Sequence, residues 1–166
     1  LEKDVQKAVE LFKESMAQDS EVARYMLGRI YYFGENGFKQ DQAKGLELIR
    51  QSALQGYSQA QDTLGIIHFN GEAGQKKDES EAMKWFAKSA EQGLVTAQMH
   101  LSMMYYHGRG GLDVDKEKAV EWMTKAAEQG TEEAWEILGA WSEGESKSRT
   151  VTIPMKKGEG PLPINP

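Results

Sequence analysis

The 166-residue chain contains no cysteine. That absence removes disulfide frameworks, cysteine zinc sites, iron–sulfur clusters and thiol nucleophiles together. Proline is nearly as scarce. Pro154, Pro161, Pro163 and Pro166 are all there is, so nothing before residue 154 carries this helix breaker. No apolar run approaches the roughly 18 to 20 residues of a membrane-spanning helix. A basic surplus is missing too: 20 Lys and Arg stand against 26 Asp and Glu, a net charge of −6. Phosphate neutralisation needs clustered cations, so no nucleic-acid partner is expected. The first residues are Leu1-Glu2, with no initiating methionine. A processed or excised segment is the expectation, and a removed export signal stays open.

What the chain does have is a ruler. Ala23, Ala60, Ala97 and Ala134 are 37 residues apart, and Leu27, Leu64, Leu101 and Leu138 keep the same step. Gln55-Gly56, Gln92-Gly93 and Gln129-Gly130 do likewise, as do Asp41, Asp78 and Asp115. Gly34, Gly71 and Gly108 form another column, and Gly37, Gly74 and Gly111 one more. A fixed period of this size marks a repeat architecture.

Each unit holds two helical patterns. The first is Ala-x-x-x-Leu-Gly-x-x-Tyr, as at Ala23, Leu27, Gly28 and Tyr31, which is one face of a helix. Gly28, Gly65 and Gly139 fall mid-helix, where glycine costs about 1 kcal/mol against alanine. A repeated cost needs a repeated reason, and close approach of a neighbouring helix supplies it. Ser102 in the same column makes the demand one of size. The second helix begins at the aspartate column, whose carboxylates suit N-caps. It continues through Ala82, Trp85, Phe86, Ser89 and Ala90, repeated by Ala119, Trp122, Met123, Ala126 and Ala127. Gly56, Gly93 and Gly130 close it, and the Gly-x-x-Gly segments join the two helices. Ala8, Val9, Leu11, Phe12 and Ser15 extend the register backwards. The reading is therefore a repeat array over 1–141: a partial repeat 1–19, full repeats at about 20–56, 57–93 and 94–130, and a partial 131–141. Residues 142–166, linker-like and then proline-containing, read as an extended C-terminal tail.

The third unit, Ala97, Leu101, Ser102, Tyr105, Gly108, Gly110, Asp115, Lys118, Ala119, Trp122, Lys125, Ala126, Ala127 and Gly130, resembles the Sel1-like repeat family, relatives of tetratricopeptide repeats. The second unit departs with His68, Glu81 and Ser89, and the first with Gly45 and Leu48. The resemblance implies an all-α, right-handed α-solenoid of antiparallel helix pairs. It also implies a noncatalytic protein–protein interaction module, an adaptor, regulator or inhibitor/immunity-type binder in a bacterial system. Cytoplasm and periplasm both fit. The alternative is a hydrolase of the β-lactam-acting type associated with cysteine-rich relatives, and this chain lacks the cysteines that mark that branch.

No catalytic residue is expected. His68 replaces a packing tyrosine, no H-x-x-x-H spacing suggests a metal, no G-x-S-x-G elbow occurs, and no cofactor is implied. The candidate site is a concave groove lined by the first helices. Its columns give Tyr25, Arg29, Tyr32 and Phe33, then Asp62, Ile66, Phe69 and Asn70, then Met99, Met103, Tyr106 and His107. Tyr32, Phe69 and Tyr106 make an all-aromatic column. Packing between neighbouring helices explains such a column, and so does a peptide groove, because aromatics and methionine are disproportionate anchors of interfaces. The expected occupant is a protein or an extended peptide, the chain's own tail or a neighbour's among the candidates.

Overall fold

The computed structural model describes residues 2–17, 19–35 and 38–145. Eight helices account for most of them: α1 (Glu2–Ala17), α2 (Glu21–Phe33), α3 (Gln42–Leu54), α4 (Ser58–Asn70), α5 (Glu79–Glu91), α6 (Val95–His107), α7 (Lys116–Glu128) and α8 (Glu132–Glu145). No strand occurs among the described residues. Helix α8 continues to Glu145, four residues past the expected end of the array near 141. Residues 146–166 of the expected tail, and Gly37 of the first glycine turn, lie outside the described residues.

The chain divides into two compact units, residues 1–89 and 90–166. In the first, α2 and α3 run antiparallel. The Ser52 hydroxyl near the end of α3 donates to the Glu21 carbonyl at the start of α2 (2.7 Å), and the Asp41 N–H before α3 donates to the Tyr31 carbonyl near the end of α2 (2.8 Å). Helices α4 and α5 repeat both bonds, Ser89 to the Ser58 carbonyl and Asp78 to the His68 carbonyl, each at 2.8 Å. The second unit repeats the latter, from Asp115 N–H to the Tyr105 carbonyl (2.9 Å), joining α6 and α7.

Local chemistry follows the expected columns. The carboxylates of Asp41, Asp78 and Asp115 accept from the N–H groups of Lys44, Glu81 and Lys118 at 3.0, 2.9 and 2.9 Å. Each satisfies one of the amides left free at a helix start. Gly56, Gly93 and Gly130 close the second helices at φ of +103°, +89° and +95°, backbone that suits glycine and little else.

The small residues set how closely the helices pair. A Cβ on Gly65 would lie 2.6 Å from the Phe86 ring, and one on Gly28 would lie 3.0 Å from Ile49 Cγ1. Ser102 is fully buried and donates its hydroxyl to the Ala119 carbonyl at 2.5 Å. Gly139 departs from its column, because apart from its own turn of helix no described atom lies within 4 Å of its Cβ position. No second-type helix follows α8 among the described residues. Gly45, a departure from the alanine column, is tighter still. A Cβ there would lie 2.6 Å from Tyr32 Cα and 2.7 Å from the Gly28 carbonyl oxygen, both backbone atoms. Helices α2 and α3 meet glycine to glycine.

Apolar clusters result among the described residues. Val9, Leu27, Ile30 and Leu48 form one in the first unit. A larger one there joins Tyr25, Tyr32, Leu46, Ile49, Ala60, Leu64, Ile67 and Trp85. Ala119, Met123, Ala126, Ala127, Ala134, Leu138 and Trp141 form the core of the second unit. Trp85 is core, as its register predicts, but Trp122 is only half-buried. Its ring lies 3.8 Å from the Lys125 ammonium, a cation–π contact at the surface.

Gly45→Ala would install the residue that both later repeats carry, with a gain of about 1 kcal/mol in helix propensity. Backbone cannot yield as a side-chain tip can, so overpacking of about 1–3 kcal/mol should win. Urea denaturation should show a lower midpoint for Gly45→Ala.

Candidate binding surface

In the first unit, α2 and α4 carry eight of the expected groove residues. Tyr25 is buried. Its hydroxyl lies 3.1 Å from the Thr63 hydroxyl, which itself donates to the Gln59 carbonyl (2.8 Å), so Tyr25 is the donor of that pair. One turn on, the Arg29 guanidinium lies 6.0 Å from the Tyr25 ring and 5.9 Å from the Phe33 ring. Its ion pair is with Glu35 at 2.9 Å, and the side chains are 40% and 36% exposed. A guanidinium between aromatic faces keeps its charge accessible while its planar surface is covered. Phe33 is 53% exposed.

Tyr32 is 2% exposed, and its ring meets the edge of Phe33 at 4.9 Å. Its ring is therefore interior, and its polar contact is made by the hydroxyl. That group donates to Glu72 at 3.1 Å, while Asn70 donates to the other oxygen of the same carboxylate at 2.7 Å. Burial, and then the hydrogen bond to Glu72, push the Tyr32 hydroxyl up to about 12. It stays a donor through the neutral range. Asp62 is buried, Ile66 and Phe69 are half-buried, and Asn70 is exposed. The Phe69 ring lies 5.4 Å from the Lys77 ammonium.

The second unit differs. Tyr106 stacks face to face on Trp141, with centroids 4.2 Å apart and planes 7° from parallel. His107, exposed, meets the edge of Tyr106 at 5.1 Å. Met103 is 37% exposed and Met99 half-buried. The aromatic column thus has three fates: Tyr32 interior, Phe69 beneath a lysine, Tyr106 held by a tryptophan. Three partners that matter here, Glu35, Glu72 and Trp141, were outside the expected set. The two glutamates had a signal, since they stand one 37-residue step apart. Trp141 had none beyond its helical spacing from Leu138.

The outer columns explain His68. Lys44 lies 4.0 Å from the Tyr31 ring centroid and Lys118 5.4 Å from the Tyr105 ring. In the middle repeat both members change, tyrosine to His68 and lysine to Glu81. A cation–π pair becomes a histidine facing a carboxylate. Burial lowers the His68 pKa, with Glu81 acting in the opposite direction. Among the described residues no group of three or more His, Asp or Glu side chains converges to hold a metal, and no helix is long and apolar enough to cross a membrane.

The Sel1 repeat pattern matches residues 1–20, 22–57, 58–94 and 95–131. The chain belongs to the Sel1 repeat family. As a class, Sel1 repeats are protein-interaction modules and generally noncatalytic. The α-solenoid of helix pairs is the fold of the solved members as well. A protective antigen of uropathogenic Escherichia coli displaying an SLR fold is 36% identical with a TM-score of 0.75, and covers 82% of this chain. This chain spans 29% of that antigen. A Sel1 repeat protein from Oxalobacter formigenes is 30% identical with a TM-score of 0.74, covering 84% of this chain and 99% of its own. Cysteine-rich protein B of Helicobacter pylori, 20% identical with a TM-score of 0.63 over 82% of this chain and 96% of its own, shares the fold. No curated protein sequence matches.

His68→Tyr and Glu81→Lys should each lose the pairing with the residue left behind, while the double variant restores the pair of the flanking repeats. A double-mutant cycle should give a favourable coupling of about 0.5–1 kcal/mol, the size of an exposed cation–π contact. Thermal unfolding of the four proteins measures it.

Proposed function

We propose that this chain is a noncatalytic binding module that takes a protein or extended peptide against the first-type helices, α2 and α4 in the first unit and α6 in the second. It serves as an adaptor, regulator or inhibitor/immunity-type binder. The observation that carries this reading is the Arg29 cluster. A half-exposed guanidinium lies between the Tyr25 and Phe33 rings, with a salt bridge to a surface carboxylate, Glu35. A partner carboxylate can take the place of Glu35 without desolvating an unpaired charge, and a partner apolar side chain can cover Phe33. Arginine and aromatics are the residue types that dominate interface energetics. The Asn70–Glu72–Tyr32 relay supplies a positioned carboxylate in the same unit for backbone N–H groups of an extended segment. Met99, Met103 and His107 supply an adaptable apolar surface on α6.

The surface residues that can be removed without opening the core are Arg29, Phe33, Met103 and His107. Arg29→Ala with Phe33→Ala should weaken capture of the native partner at least tenfold, the loss of one interface anchor of about 1.4 kcal/mol. Met103→Ala with His107→Ala tests the second unit in the same way. Affinity capture from the native source, quantified by mass spectrometry with circular dichroism as the folding control, reads both. Equal recovery of the same partner by wild type and both folded variants would refute the proposal.

A further inference from the structure

Helix α8 presents a face that every other first-type helix keeps covered. The residue in the small-residue column is buried in α2, α4 and α6, as Gly28, Gly65 and Ser102, each beneath a second-type helix. In α8 the same column holds Gly139, half-exposed, with no described atom from outside its own turn of helix within 4 Å of its Cβ position. Trp135, one turn earlier, is half-buried. The helix also has charge of one sign. Glu132, Glu133, Glu136, Glu143 and Glu145 lie along it with no Lys or Arg, and its last turn has no basic residue to offset the negative end of the helix dipole.

The segment that follows has the opposite character. Residues 146–166 carry Lys147, Arg149, Lys156 and Lys157 against the single acidic Glu159. Val151, Ile153 and Met155 alternate with Thr150, Thr152 and Pro154, so an extended backbone would turn three apolar side chains the same way. The reach is ample. Six extended residues span about 20 Å, whereas the six from Gly139 to Glu145 occupy about 9 Å of helix.

We propose that residues 146–166 fold back along α8 of the same molecule, setting Val151, Ile153 and Met155 over the Gly139 face and their basic neighbours against the α8 glutamates. The tail then does for α8 what a second helix does for α2, α4 and α6: it covers the apolar face that a terminal repeat otherwise exposes. This site is separate from the Arg29 surface and stands whether or not that surface binds a partner.

The absence of cysteine makes the test direct. A nitroxide on Thr152→Cys in the full chain labels one position, and amide signals report what lies near it. The amides of Gly139 and Trp135 should lose most of their intensity, independently of protein concentration. Reversing the tail charges in the same labelled chain (Lys147→Glu, Arg149→Glu, Lys156→Glu and Lys157→Glu) should restore that intensity severalfold. Broadening unchanged by the reversal would reflect tethering alone and overturn the proposal. Broadening that grows with concentration would put the tail on a second copy, and broadening centred on Phe33 or Phe69 would put it on the other surface. Either result would overturn it too.

Discussion

The structure depends on how near two helices can come when nothing stands between them. At Gly28, Gly45 and Gly65 a single methyl group would enter the space of a neighbouring helix. Ser102 achieves the same nearness by bonding its hydroxyl to the Ala119 carbonyl. Glycine inside a helix is a standing cost, and here it recurs because dispersion contacts and buried aliphatic side chains such as Ile49, Leu64 and Leu101 offset it. Hydrogen bonds then hold the pairs in register. An aspartate N–H donates to a carbonyl at one end of all three, and in the first unit a serine hydroxyl donates to a carbonyl at the other.

Close pairing has a consequence for binding. The side of each first helix that faces its partner is spent on small residues, so the bulky and polar residues collect on other sides. In the first unit these are Arg29, Phe33, Asn70 and the carboxylates that steady them. In the second they are Met99, Met103, Tyr106 and His107, with Tyr106 fixed by Trp141. One repeat pattern thereby produces two chemically different surfaces, one charged and aromatic and the other soft and apolar. Within this chain the pairing columns stay nearly constant from repeat to repeat while the exposed columns vary.

The pairing columns were legible in the sequence because a 37-residue step exposes them: the aspartate caps, the closing glycines and the mid-helix glycines of α2 and α4 all lie where the repeat puts them. Gly139 belongs to the same column but not to the same environment, since a column records position and not whether a neighbour is present. Gly45 was marked only as a departure from the pattern, for the converse reason. It breaks its alanine column, and only the backbone of Tyr32 shows why. On the binding surface, register identified which residues share a side of a helix, and it could not rank their exposure. Tyr32, Phe69 and Tyr106 occupy one column and differ in burial because Glu72, Lys77 and Trp141, their partners, come from other parts of the chain. Of these partners Glu72 had a periodic signal, one step after Glu35, whereas Lys77 and Trp141 had none.

The claim that helix spacing is fixed by the missing Cβ is tested most directly at Gly65 and Phe86. A Cβ at Gly65 would meet the Phe86 ring and no backbone atom among its three nearest neighbours, so the conflict can be relieved by shortening one side chain. Gly65→Ala should destabilise the protein in the natural background by about 1–3 kcal/mol. In a Phe86→Leu background the same substitution should cost far less, leaving a favourable coupling of at least about 1 kcal/mol in the cycle. Strict additivity of the two substitutions in urea denaturation would contradict the account.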